Sequence, residues 1–85
     1  MKILAVYDNG GRTADRYTVI LDSRHGELYE CLCLSENCTS PQGVSQYSLC
    51  DYEAAKAGAT DLGKLVSWSD VSETVQDHIR DRLTQ

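Results

Sequence analysis

The chain has 85 residues, of which 41% are hydrophobic, and its 13 acidic and 8 basic side chains give a formal net charge of −5. A chain of this length forms one domain over residues 1–85 and can build a single core of modest stability. The acidic balance argues against direct binding to nucleic acid, which needs clustered Lys and Arg, and against docking on an anionic membrane.

The first predicted element is a strand over MKILAVY, where apolar residues alternate. Ile3, Ala5 and Tyr7 fall on one face of this strand, and Leu4 and Val6 fall on the other. The apolar run is too short for a transmembrane helix and no small-residue cleavage site follows it. We therefore expect a cytoplasmic protein.

The loop after this strand lies within YDNGGRTADRYTVI and admits two interpretations. Asn-Gly between two alternating runs is a strong hairpin signal, because both residues tolerate positive φ. A small-ligand or phosphate-binding loop over Gly10, Gly11, Arg12 and Thr13 is the alternative, although the residues that follow are typical of a strand and no P-loop Lys-Ser/Thr is present. Arg12 and Arg16 are candidate contacts for a protein partner.

The second and third predicted strands are DRYTVILD and ELYECLCL, joined by a turn around Gly26. In the third strand Cys31 and Cys33 share one face, and Leu32 and Leu34 share the other. Apolar residues on both faces predict that this strand lies inside the sheet.

The next stretch, SENCTSPQG, predicts the longest loop of the chain. VSQYSLC alternates and predicts a fourth strand, while DYEAAKAG favours one or two helical turns. A short fifth strand is expected from Lys64 to Trp68.

The last segment, SDVSETVQDHIRDRL, gives the clearest helix signal, with Ser69 as its predicted cap. Its apolar stripe, which we expect to lie on the sheet, consists of Val71, Val75, Ile79 and Leu83. The elements together predict an α+β fold: a small antiparallel sheet of 4–5 strands, one C-terminal amphipathic helix packed on a face, and a short second helix.

Four carboxylates of this segment fall in a narrow arc opposite the apolar stripe: Asp70, Glu73, Asp77 and Asp81. Such a charge run is usually a solvated face. Its functional interpretation is a recognition surface that attracts a basic protein partner.

The four cysteines, Cys31, Cys33, Cys38 and Cys50, leave three interpretations open. Reduced, buried thiols are favoured, because cytosolic thiols stay reduced. A zinc-stabilised adaptor is an alternative, but the C-x-C-x4-C-x11-C order lacks the paired CxxC knuckles of a structural zinc site. A disulfide framework is the least favoured, and no cofactor is expected.

The sequence contains no Ser-His-Asp order, no HExxH and no nucleophile elbow. An exposed carboxylate row offers neither the cleft nor the divergent pKa values that acid–base catalysis requires. We therefore expect a non-enzymatic protein-binding module, with no catalytic residues.

Three stretches, KILAVYDNGGRTADRYTVI, LSENCTSPQGVSQ and GKLVSWSDVSETVQDHIRDRL, resemble a group of small phage and prophage-type proteins. These share a YDNGG–DRYTV opening, a P-x-G-x-SQ loop and a W-x-D…V-x-x-H ending. The resemblance covers most of the chain and carries no established activity, so it transfers no site. It implies a phage context, where small acidic proteins often inhibit host defence systems, as anti-CRISPR proteins do. The expected partner is a host or phage protein with a basic surface, contacted through the YDNGG turn and residues 35–46.

Overall fold

The computed structural model describes residues 2–84, so Met1, part of the predicted first strand, lies outside the described residues. The elements in chain order are β1 (Ile3–Asp8), β2 (Tyr17–His25), β3 (Leu28–Leu34), β4 (Ser45–Cys50), α1 (Tyr52–Lys56), β5 (Lys64–Val66), a 3₁₀ turn (Trp68–Asp70) and α2 (Glu73–Leu83). The strands form one antiparallel sheet in the order β4-β3-β2-β1-β5. The predicted α+β fold is confirmed.

The alternation of β2, the central strand, places side chains on both faces of the sheet. Tyr17, Val19 and Leu21 lie in the hydrophobic cluster beneath α2, and Ile20 lies in a second cluster on the opposite face. All four are buried, which is expected of a strand covered on both sides. The period of two along the strand therefore divides its apolar side chains between the two clusters.

Strand β3 has neighbours on both sides, β2 and β4, as its two apolar faces predicted. Leu32 and Leu34 pack in the cluster beneath α2, whereas Cys31 packs in the opposite cluster with Cys33 against it. The period of two along a strand is therefore kept throughout the second half of β3.

The predicted faces of β1 are wrong at one residue. The register between β1 and β2 shifts between Ile3 and Ala5, so Leu4 forms a bulge. Ile3 therefore packs with Val6 beneath α2, while Ala5 and Tyr7 lie on the opposite face. An inserted residue reverses the alternation on one side of a bulge, and nothing in the sequence marks the insertion.

Helix α2 lies across one face of the sheet with Val75 and Ile79 buried. It begins at Glu73, and its cap is Ser72 and not the predicted Ser69: the Ser72 hydroxyl accepts a hydrogen bond from the N–H of Val75. The preceding residues form a separate 3₁₀ turn, after which the chain is extended at Val71 (φ −84°, ψ 134°). Val71 is nevertheless buried, because the extended residue directs its side chain into the same cluster.

The opposite face of the sheet is covered by α1 and the segment after it. Asp51 caps α1 by accepting a hydrogen bond from the N–H of Ala54, as the short helix pattern predicted. Tyr52 and Leu62 pack against the buried residues of this face. Strand β5 ends at Val66, two residues short of its predicted end, because the chain turns into the 3₁₀ segment.

No helix within residues 2–84 is both long enough and apolar enough to cross a lipid bilayer.

Candidate functional site

The loop between β1 and β2 is organised by the side chain of Asn9. Its Nδ2 donates to Thr13 Oγ1 at 2.7 Å and to the carbonyl of Asp15 at 2.9 Å. Its Oδ1 accepts from the N–H groups of Gly11 and Arg12 at 2.8 and 3.1 Å. The side-chain amide of Asn9 therefore forms hydrogen bonds with backbone and side-chain groups on both sides of the loop.

The backbone donors of this loop point inward. Asp8 Oδ1 accepts from the N–H of Gly10 at 2.8 Å, so the N–H groups of Gly10, Gly11 and Arg12 all donate to neighbouring side chains. A phosphate-binding loop requires such donors to face its ligand. Positive φ occurs at Gly10 (74°) and Gly11 (87°), so the hairpin uses its two glycines and not Asn9 for this conformation.

The two arginines proposed as partner contacts are engaged within the protein. Arg16 binds Asp8 through Nε at 2.9 Å and Glu36 through Nη1 at 3.0 Å, with 27% of its side chain exposed. Its hydrogen bonds hold the pKa of Asp8 below the ordinary value. Arg12 binds Asp61 at 2.8 Å. Arg16 therefore joins the end of β1 to the loop before β4, while Arg12 is the more exposed of the pair.

The predicted row of four carboxylates does not share one helix. Asp70 lies in the 3₁₀ turn, where its carboxylate accepts hydrogen bonds from the N–H and Oγ of Ser67 at 3.3 and 2.8 Å. These hydrogen bonds lower the pKa of Asp70 and occupy it as a capping group. The acidic face of α2 consists of the remaining three residues: Glu73, Asp77 and Asp81.

Two of the three carboxylates on the acidic face form no ion pair within residues 2–84. Arg80 binds Asp77 at 2.9 Å, and the same guanidinium lies 5.4 Å from the centre of the Trp68 ring. Among the residues that the structure describes, no ion pair includes Glu73 or Asp81. The acidic face therefore carries a carboxylate outside these ion pairs at each end.

An exposed apolar patch adjoins the C-terminal end of α2. Tyr47 and Leu49 of β4, which we call the β4 patch, are 46% and 47% exposed. The hydroxyl of Tyr47 donates to the carbonyl of Arg82 at 2.8 Å, and the Arg82 guanidinium lies 5.1 Å from the centre of the Tyr47 ring. The sequence predicted this strand but could not reveal that it lies at the edge of the sheet.

The four cysteines do not converge. Cys31, Cys33 and Cys50 lie on the face away from α2, and Cys38 is buried in the cluster beneath α2. Within residues 2–84, no group of three or more His, Cys, Asp or Glu side chains is arranged to hold a metal ion. The sheet itself separates Cys38 from the other thiols, which leaves the zinc interpretation without its fourth cysteine.

A surface groove of about 660 Å³ runs beside β1 and β5. Its walls include Leu4, Leu65 and Trp68, and within residues 2–84 none of the residues that line it is ionisable. These walls offer apolar contact.

Comparison of the chain with protein-family models, with curated proteins and with solved structures finds no match. Function is therefore inferred from the chemistry of the chain's own surface.

Proposed function

We propose that the chain is a non-enzymatic protein-binding module whose partner has a basic surface. Docking uses the acidic face of α2 together with the β4 patch. The observation that carries the proposal is that Glu73 and Asp81 take part in no ion pair of residues 2–84, on a helix whose end contacts an exposed tyrosine. Aromatic side chains ringed by charged groups are typical of protein–protein contact surfaces.

The position of the acidic face is fixed by the packing beneath it. Ile79 is 0% exposed and Val75 is 6% exposed, so the inner side of α2 is held against the sheet. A surface carried on such a helix is already in its binding arrangement, which reduces the conformational entropy lost on association.

The charge of the chain determines which partner it attracts. The formal net charge is −5, and the acidic face concentrates part of it on one helix. Complementary charge raises the rate of association and rejects acidic competitors more than it raises affinity. A partner with Lys and Arg on its surface is therefore the best match.

The alternatives have less support. For the small-ligand or phosphate-binding module, the N–H groups of Gly10, Gly11 and Arg12 already donate to side chains. For the zinc-stabilised adaptor, Cys38 lies on the other side of the sheet from the remaining thiols.

The narrower proposal, a phage-encoded inhibitor of a host defence system, rests on the sequence resemblance alone. We also propose a cytoplasmic location, with which the four free cysteines are consistent.

The test is affinity capture from a bacterial lysate with three tagged baits. These are the wild-type chain, Glu73→Lys/Asp81→Lys, and the control Asp22→Lys/Glu27→Lys, whose two carboxylates are exposed elsewhere on the sheet and its turn. Each substitution changes the formal charge by two units, so both double variants carry −1 instead of −5. Net charge is therefore matched, and only the position of the reversed charges differs.

We expect the Glu73→Lys/Asp81→Lys variant to bind its partner at least about tenfold more weakly than the wild-type chain, because like charges then face each other across the interface. The control should retain binding, and binding by the wild-type chain should weaken as salt rises. Equal binding by both double variants, with circular dichroism showing that both are folded, would exclude the acidic face as the contact.

A further inference from the structure

Three thiols are gathered on the sheet face opposite α2, where the proposed protein contact does not reach. Cys31 and Cys33 occupy alternate positions of β3 and therefore point the same way. Cys50 of β4 is paired with Tyr29, so it lies on this face beside Cys31. The Sγ atoms of Cys31 and Cys33 are 3.8 Å apart.

These thiols line a cavity of about 270 Å³. Its remaining walls come in part from Asn9 and Thr13 of the β1–β2 loop and from Leu62 before β5. Cys31 is only 1% exposed, whereas Cys33 is half-buried. A small molecule that enters the cavity therefore meets the sulfur of Cys33 before that of Cys31.

We propose that Cys33 is a site of oxidation by small hydroperoxides and that Cys31 resolves the oxidised sulfur by forming an intrastrand disulfide. The thiolate of Cys33 attacks one oxygen of the hydroperoxide, the O–O bond breaks, and Cys33 becomes a sulfenic acid. The departing alkoxide or hydroxide takes a proton and leaves as alcohol or water.

In the second step the sulfur of Cys31 attacks the sulfur of Cys33. The S–S bond forms as the S–O bond breaks, and the released hydroxide leaves as water with the proton of the Cys31 thiol. In total, two thiols and one hydroperoxide give one disulfide, one alcohol or water, and one further water. The two cysteines are oxidised by two electrons and the hydroperoxide is reduced by two.

The difference in burial assigns the two roles. Cys31 is 1% exposed and Cys33 is half-buried, and the contact between their sulfurs is a hydrogen bond in which either thiol can donate. Donation by Cys31 agrees with the lowered pKa of Cys33 and the raised pKa of Cys31. Negative charge belongs on the better hydrated sulfur, because burial disfavours a thiolate. Cys33 is therefore the nucleophile, and Cys31 holds its proton until the second step.

The disulfide requires a change in the backbone of β3. Alternate residues of an extended strand lie about 6.6 Å apart, whereas the Cβ atoms of a disulfide lie about 3.5–4.5 Å apart. The strand must therefore bend between Cys31 and Cys33 as their sulfurs approach from 3.8 Å to a bond of about 2.05 Å. Bridging alternate residues of an extended strand strains the bond and makes it easier to reduce. The modification is therefore reversible by ordinary thiol reductants.

The test treats the reduced, full-length chain with a slight excess of hydrogen peroxide and then labels the remaining thiols with iodoacetamide under denaturing conditions. We expect the four thiols of the chain to fall to two, with label at Cys38 and Cys50 and none at Cys31 or Cys33. The intact mass should fall by two hydrogens before labelling, and a reductant should restore both thiols.

Two variants identify the sulfurs involved. Cys50→Ser should still form the disulfide at the wild-type rate, whereas Cys33→Ser should keep its three thiols. The proposal is overturned if wild-type Cys31 and Cys33 take up label after peroxide treatment, or if the bond that forms includes Cys50 or Cys38. The wild-type label map decides between these outcomes even if a variant fails to fold.

Discussion

Ile79 holds α2 on the sheet, and its truncation to alanine tests the packing on which the acidic face depends. The side chain is 0% exposed and lies in the cluster that joins α2 to the sheet. Ile79→Ala removes three carbon atoms, worth about 2.4 kcal/mol of transfer free energy at ~0.8 kcal/mol each. The cavity left behind adds to this, so we expect a loss of about 3–4 kcal/mol in the free energy of unfolding.

This loss is large for the chain. At ~0.05–0.15 kcal/mol per residue, 85 residues give a total stability of about 4–13 kcal/mol. Urea unfolding measures it, with far-ultraviolet circular dichroism and the fluorescence of Trp68 as independent probes. Trp68 is the only tryptophan of the chain and packs against the same cluster, so its signal reports on the α2 interface.

The matched control is Thr74→Ala, which truncates an exposed residue of the same helix. We expect this variant to stay within about 0.5 kcal/mol of the wild-type chain. A loss below about 1 kcal/mol for Ile79→Ala, or equal losses for both variants, would refute the idea that α2 is fixed by burial of this residue.

Two further predictions concern polar side chains at the end of strand β1 and at the start of helix α2. Asp8→Asn should lower the free energy of unfolding at pH 7 by about 1–2 kcal/mol, because a charge-assisted hydrogen bond to Arg16 is weakened. Arg16 holds the pKa of Asp8 in the folded chain below its ordinary value of 3.8. The ion pair therefore stabilises the fold fully above pH 3.8, and this stabilisation is lost as the pH falls through the pKa of the folded state. The difference in the free energy of unfolding between the wild-type chain and Asp8→Asn should therefore shrink below about pH 4, as measured by urea unfolding at a series of acidic pH values. A difference that stays constant with pH would contradict this prediction. Ser72→Ala should lower the free energy of unfolding by about 1 kcal/mol in the same assay, and Ser69→Ala should lower it much less, because Ser72 caps α2. A larger loss for Ser69→Ala than for Ser72→Ala would identify Ser69 as the cap.

The strands could be predicted because their signal is local. The alternation of Tyr17, Val19 and Leu21 against Ile20 appears in the sequence and recurs in the two clusters. The start of α2 could not be predicted in the same way. Asp70 and Ser67 form capping hydrogen bonds of their own at the 3₁₀ turn that precedes α2. The helical spacing of the carboxylates runs through this interruption, so the sequence does not reveal it.

The residues of the candidate site also divide into those that the sequence could predict and those that it could not. Glu73 and Asp81 could be found from helical spacing, because both lie on one regular element. Arg16 could not be recognised as a half-buried structural link, because its partners Asp8 and Glu36 are distant in sequence from one another. The exposure of Tyr47 depends on the position of its strand at the sheet edge, which strand order alone decides.

The sequence by itself determined the class of fold, the alternation of side chains between the two faces in β2 and in the second half of β3, and the acidic outer surface of the C-terminal helix. These follow from periods of two and 3.6 residues, which each segment carries without reference to any other. Only the tertiary structure decided three features of the chain. Arg16 forms an ion pair within the protein, Cys38 lies on the other side of the sheet from the remaining thiols, and Cys31 and Cys33 line one cavity. Strand order and register bring together residues that are far apart along the chain, and no local pattern encodes either of them.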